Sequence, residues 1–167
     1  TGIIGRNDYG KSTILEALAI FFETDGFKAD KSDINCFSGA AQFEIACEFD
    51  DLPLSLVIDE NVETTLADEY LINAYGNLEV VKTFKASSGK LDKTTIRCQH
   101  PSEEPTNNLL GLKMSELKKL GEKCGVVDEV VDKRVASHWR LAIRNGAGSI
   151  ECQEILLDVD KGFSSEG

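Results

Sequence analysis

The sequence predicts an α/β domain, and three observations carry that expectation. A short apolar run, Gly2-Ile3-Ile4, passes through a glycine-bounded loop into a segment free of Gly and Pro, the order of strand, loop and helix. Stretches with apolar residues at every second position follow, as half-buried strands require. From Pro105 onward the spacing becomes helical.

In chain order, residues 11–22 (KSTILEALAIFF) are rich in helix formers and put Ile14, Leu15, Leu18, Phe21 and Phe22 on one face. Residues 23–41, rich in Asp, Gly, Lys and Ser, read as a loop crossing to a new layer. Phe43, Ile45, Cys47 and Phe49 then alternate with Glu44, Ala46 and Glu48, a half-buried strand. Residues 78–85 and 94–99 flank the turn-like Ser87-Ser88-Gly89-Lys90, which predicts a hairpin or a small antiparallel sheet. Residues 107–123 and 127–144 have helical spacing, with Gly121 and Cys124-Gly125 between them and Asn145-Gly146-Ala147-Gly148 ending the second. In that second segment Val127, Val130, Val131, Val135, Leu141 and Ala142 form an apolar stripe, with Trp139 beside it as a core residue. Residues 150–159 read as a last strand or helix, and 162–167 as a frayed tail. The expected division is a loop-bearing lobe with a β-subdomain over 1–104 and a helical segment of the same domain over 105–167.

Composition sets the outer bounds. A chain of 167 residues, 41% hydrophobic and 28% charged, is expected to be one globular domain. The longest apolar stretch, residues 14–22, is too short to span a membrane and contains Glu16, and no signal segment opens the chain. Five cysteines, odd in number and without a C-x-x-C pair, predict reduced thiols in a cytoplasmic protein. Cys98 and His100 stand two apart, but a metal site needs a second ligand pair that the spacing does not supply. With a net charge of −11, general electrostatic attraction to nucleic acid is excluded. The densest basic segment, Lys118, Lys119, Lys123, Lys133, Arg134, Arg140 and Arg144, is interrupted by four acidic residues and reads as a solvated helical face rather than a nucleic-acid patch.

Chemistry is concentrated near the N-terminus. Residues 5–12 fit the phosphate-loop pattern G-x-x-x-x-G-K-S/T without a mismatch. Glycines let such a loop curl until its N–H groups converge on an anion, and the helix that follows aims its positive end at the same place. The expected ligand is ATP with Mg²⁺. It would be cradled by the backbone of Gly5, Arg6, Asn7, Asp8, Tyr9 and Gly10, with Lys11 on the β- and γ-phosphates as the catalytic cation. Ser12 would hold the metal, and Thr13 would contact the α-phosphate side. A second motif lies in residues 54–60 (LSLVIDE), which can be read as a Walker B strand with Asp59 supporting Mg²⁺ and Glu60 orienting water. The other reading is a surface strand or turn, because no helix fits between it and the preceding strand, and parallel neighbours need a crossover.

The inner letters of the loop, GRNDYGKSTILEAL with Asn7, resemble the ATP-binding loop of the ABC-type heads of SMC and RecF proteins. The nearest resemblance is to the OLD family and to retron- and phage-defence-associated AAA-type ATPases. Lys31-Ser32-Asp33-Ile34-Asn35, the strand-like run ending in Asp50-Asp51-Leu52-Pro53, and His100-Pro101 resemble the same group. The resemblance implies a P-loop NTPase fold, specifically an ABC-type head lobe with an antiparallel β-subdomain and a helical C-terminal part. It further implies a second head that closes over ATP in a homodimer, nucleic acid as the eventual target, and a γ-phosphate-sensing glutamine, for which Gln99 and Gln153 are the candidates. The signature motif, later Walker B, switch histidine and Toprim nuclease domain of such proteins are not recognised after residue 61, and Thr1 lies only a few residues before the loop. An N-terminal lobe fragment that binds ATP and hydrolyses it weakly is therefore expected. Two alternatives stay open: a self-sufficient NTPase or kinase using Asp59 and Glu60, and a non-catalytic interaction module stabilised by nucleotide. His100 and His138 have no Ser or Cys arrangement that would suggest nucleophilic catalysis.

Overall fold

Helix α1 (Lys11–Phe22) occupies the segment its composition predicts and stops where Glu23 turns left-handed, with a φ of 54°. The computed structural model describes residues 10–59 and 62–157. The protein is mixed α/β, and it divides into two compact units, one of residues 10–46 with 81–95, the other of residues 47–80 with 96–157.

The strands are β1 (Gln42–Phe49), β2 (Leu56–Asp59), β3 (Val62–Thr64), β4 (Leu78–Ser87), β5 (Lys90–Leu91), β6 (Thr95–Pro101) and β7 (Cys152–Leu157). One sheet has the order β1-β4-β6-β7 with β5 on β4, and β2 and β3 form a separate antiparallel ribbon. Strand β1 shows the strict alternation of half-buried and exposed positions that its period-two sequence predicts. The hairpin turns at Ser88 and Gly89, whose φ values of 49° and 89° are both positive, as a two-residue turn matched to strand twist requires. Its return strand is the short β5, so β6 begins beyond a further loop. The last segment resolves as strand, with β7 pairing antiparallel to β6 from Ile96 opposite Leu157 to Pro101 opposite Cys152.

In the first unit, the Phe43 and Phe84 rings stack at 4.8 Å between centroids, and Ile20 and Phe21 of α1 are buried. The rest of the apolar face of α1 is exposed: Ile14, Leu15, Leu18 and Phe22 all stand open to solvent.

The second unit has its core between helices α2 (Met114–Cys124) and α3 (Ala136–Gly146), where Leu109, Leu117, Val126, Val130, Trp139, Ala142 and Ile143 are buried together. Trp139 is the core residue its setting predicts, and its indole N–H donates to the Lys133 carbonyl at 3.1 Å. Gly121 makes room for it, since a Cβ there would lie 2.6 Å from Trp139 Cζ3. Both helices are shorter than the spacing suggests. A 3-10 turn, Leu109–Gly111, precedes α2, which starts where the Glu116 carboxylate accepts the Lys113 N–H at 2.9 Å. Before α3, Val127–Glu129 is another 3-10 turn, and Asp132 folds back to accept the Arg134 N–H, which diverts the chain from helix. Val131 accordingly points to solvent, and the expected stripe is broken.

The basic segment also needs correction. Arg140 and Arg144, spaced to share one face of α3, are each 1% exposed and converge on Glu69. Arg140 binds that carboxylate through two nitrogens, at 2.9 and 2.6 Å. Arg144 donates to it at 2.8 Å and to the Asp68 carbonyl at 2.7 Å, with its guanidinium 5.3 Å from the Tyr70 ring centroid. Thr64 completes the set, its hydroxyl donating to Glu69 at 3.1 Å. These two arginines are thus neither a solvated face nor a nucleic-acid surface.

Burial works against the Glu69 charge, but the hydrogen bonds and charges of Arg140 and Arg144 outweigh it and hold the carboxyl below its usual range. His100, buried in β6, is pushed down to about 4, first by burial and then by the Arg144 charge. Both shifts favour deprotonated forms, so the folded state holds fewer protons than the unfolded one and stability falls as pH drops. For His100 the loss runs from its ordinary value near 6.5 down through about 4. Urea unfolding should therefore show about 3 kcal/mol less stability at pH 4 than at pH 7 from this residue. His100→Gln should flatten that part of the profile. Glu69→Ala, which leaves two guanidiniums buried without their carboxylate, should cost about 3–5 kcal/mol at pH 7.

Candidate phosphate-binding site

Gly10 stands where loop becomes helix, with φ 78° and ψ 12°. That left-handed conformation is open to glycine and strained for residues with a Cβ. The Ile14 N–H closes the first turn on the Gly10 carbonyl at 3.1 Å. The N–H groups of Lys11, Ser12 and Thr13 precede any helical acceptor, as the first donors of every α-helix do. Gly10 at the N-cap has no side chain with which to cap this end of α1, and the first turn contains no acidic residue. The positive end of the helix dipole is thus left uncompensated by the helix's own residues, the condition in which it attracts an anion.

Lys11, Ser12 and Thr13, three of the residues expected from the motif, share this first turn, with Ser12 and Thr13 exposed and Lys11 half-buried. Their donor set fits a polyphosphate with its divalent cation: backbone N–H groups and an ammonium for phosphate oxygens, a hydroxyl for Mg²⁺. Gly5, Arg6, Asn7, Asp8 and Tyr9 lie outside the described residues.

The other expected residues fall elsewhere. At the end of β2, Asp59 pairs through its backbone with Val62 of β3. The segment is thus one strand of an antiparallel ribbon, which matches the surface-strand reading. Glu60 and the Asp59 side chain lie outside the described residues. Gln99 and Gln153 sit on the paired strands β6 and β7, Gln99 half-buried opposite Glu154 and Gln153 exposed opposite His100.

Cys98 and His100 are both buried on one face of β6. Burial, with the Glu154 charge adding to it, pushes the Cys98 thiol up to about 12, so it stays protonated and unreactive at neutral pH. Among the described residues, no group of three or more His, Cys, Asp and Glu is placed to hold a metal ion. His138 accepts the Asp132 N–H through Nδ1 at 3.2 Å. No helix of the described residues is long and apolar enough to cross a membrane.

Sequence reasoning missed the Glu69 cluster. The i, i+4 spacing of Arg140 and Arg144 was a legible sign that they act together, but nothing local marks Glu69 as their partner.

Comparison with known proteins gives one family. No curated protein and no solved structure matches the chain. A family model described as an AAA ATPase domain matches residues 1–138, most of the 167. The phosphate-loop motif, its left-handed glycine and the helix that follows it all lie within the matched stretch, and the chain belongs to the family of AAA ATPase domains.

Proposed function

We propose that this chain is the ATP-binding lobe of an ABC-type ATPase of the OLD or SMC kind. The observation that carries the reading is the junction at Gly10. A left-handed glycine is followed by Lys11, Ser12 and Thr13 on the first turn of a helix whose positive end has no acidic residue or cap of its own. An ammonium, a hydroxyl and the backbone N–H groups of a first helical turn suit a magnesium-bound triphosphate.

In this reading the backbone of Gly5, Arg6, Asn7, Asp8, Tyr9 and Gly10 cradles the phosphates. Lys11 offsets the charge on the transferred phosphoryl group, Ser12 would hold Mg²⁺, and Thr13 meets the α-phosphate side. A cation held by the Ser12 hydroxyl would supply neutralisation of the charge on the phosphates. The reaction is in-line attack of water on the γ-phosphate, helped by a second head that closes over the nucleotide in a homodimer. Membership of the AAA ATPase domains supports the ATPase part. The β2–β3 ribbon and the β4–β5 hairpin are features that an antiparallel β-subdomain within 1–104 would have, with 105–167 as its helical continuation. Coupling to nucleic-acid processing in the cytoplasm rests on the resemblance of the loop.

Titration calorimetry with Mg-ATP, with phosphate release followed in the same samples, tests this. The wild type should bind ATP and turn it over weakly. Lys11→Ala should bind about thirty-fold or more weaker, the loss of a charge-assisted phosphate contact. Unchanged binding in Lys11→Ala would overturn the reading. Rapid turnover abolished by Glu60→Gln would replace it with a self-sufficient NTPase.

A further inference from the structure

The far end of α1 is held by a residue of another element. Lys82, on β4, donates from Nζ to the Phe21 carbonyl at 2.8 Å and to the Glu23 carboxylate at 2.9 Å. The same ammonium lies 5.3 Å from the centroid of the Phe21 ring. A lysine is normally solvated, yet the Lys82 side chain is only 14% exposed. Its partners are those that make such burial tolerable: a carbonyl from the last turn of the helix, a carboxylate at its C-cap, and an aromatic face.

Two further observations give this contact a direction. The last turn of α1 has no basic residue, so Lys82 supplies the positive charge that the negative end of the dipole favours. The N-terminal part of α1 is loosely covered, with Ile14 and Leu15 each more than half exposed, while Ile20 and Phe21 near the C-terminus are buried. The helix is thus anchored at the Lys82 end and presents its Lys11 end. A 12-residue helix is a stiff rod of about 18 Å, so a small tilt at the anchor displaces the far end. Misplacement by about 1 Å is enough to weaken a constellation that must match a ligand.

We propose that Lys82 is a positioning residue for nucleotide binding: it fixes the C-terminal end of α1 and thereby the pose of the phosphate-binding end. The inference rests on the ATP-binding reading above. By linkage, a clamp that favours ATP must itself be favoured by ATP.

The test is Mg-ATP calorimetry on the whole chain for wild type, Lys82→Met, Lys82→Arg and Lys11→Ala, with amide hydrogen exchange at Phe22, Glu23 and Thr24 measured with and without ATP. Lys82→Met should weaken binding about five-fold, and Lys82→Arg should recover it to within about two-fold. ATP should slow exchange at the three amides in the wild type and not in Lys82→Met, a response that a purely structural contact would not give. Wild-type affinity in Lys82→Met, or exchange at these amides that ignores ATP, overturns the clamp while Lys11→Ala still reports on the phosphate loop. A wild type that binds no ATP overturns both. If Lys82→Met does not fold, Glu23→Gln takes its place, because it removes one charged partner from an exposed position. A drop of about two-fold in affinity is then expected, and unchanged affinity with unchanged exchange overturns the proposal.

Discussion

One carboxylate, Glu69, carries two guanidiniums out of contact with water, and the arrangement of the second unit depends on it. The turn that bears Glu69 is closed by its own N–H donating to the Thr65 carbonyl at 3.1 Å and by Leu71 donating to Leu66 at 2.9 Å. The carboxylate is therefore presented by a braced backbone, and α3 is positioned by the two arginines that reach it. Two cations on one anion leave an excess of positive charge in a buried place. The Asp68 carbonyl and the face of Tyr70 answer part of that excess. The low proton affinity of His100 comes first from its burial, and the Arg144 charge adds to it. Ion clusters of this kind contribute little net stability over an apolar core, but they tolerate few alternatives, so their effect is on which arrangement forms.

In the first unit a cation again completes what the backbone leaves open. Helix α1 ends with carbonyls that lack helical partners, and Lys82 meets one of them while pairing with the C-cap carboxylate. At the opposite end Gly10 offers no capping side chain and the first turn has no acidic residue. The two ends are treated differently, and the difference accords with a helix held at one end and offered to an anion at the other.

What could be read in the sequence was local. The extent of α1 follows from an unbroken run of helix formers, the alternation of β1 from its period, and the hairpin from a turn pair in which Gly89 accepts a positive φ. The burial of Trp139 was legible from its apolar neighbours. The starts of α2 and α3 were not, because side-chain hydrogen bonds from Glu116 and Asp132 decide them against a background of helical spacing. The fate of Arg140 and Arg144 was least legible, because their partner lies some seventy residues away. For the site, the motif identified Lys11, Ser12 and Thr13. It could say nothing of Lys82, whose role comes from a strand meeting a helix end.

The distribution of charge bears on how so acidic a chain could take up a polyanion. The net −11 is not spread evenly. Within residues 10–46 and 81–95 there are seven lysines and seven carboxylates, so the unit that carries α1 is balanced. Residues 47–80 and 96–157 hold eighteen carboxylates against nine basic side chains, which places most of the excess in the other unit. At physiological ionic strength, exposed charges more than about 8 Å apart are largely screened from one another. Among the described residues, the groups that a phosphate at Gly10 would meet are the N–H groups of the first turn, Lys11, and a helix dipole whose opposite end is met by Lys82. The overall acidity argues against general attraction to nucleic acid, whereas the charge balance of the unit that carries α1 adds no net repulsion of a triphosphate.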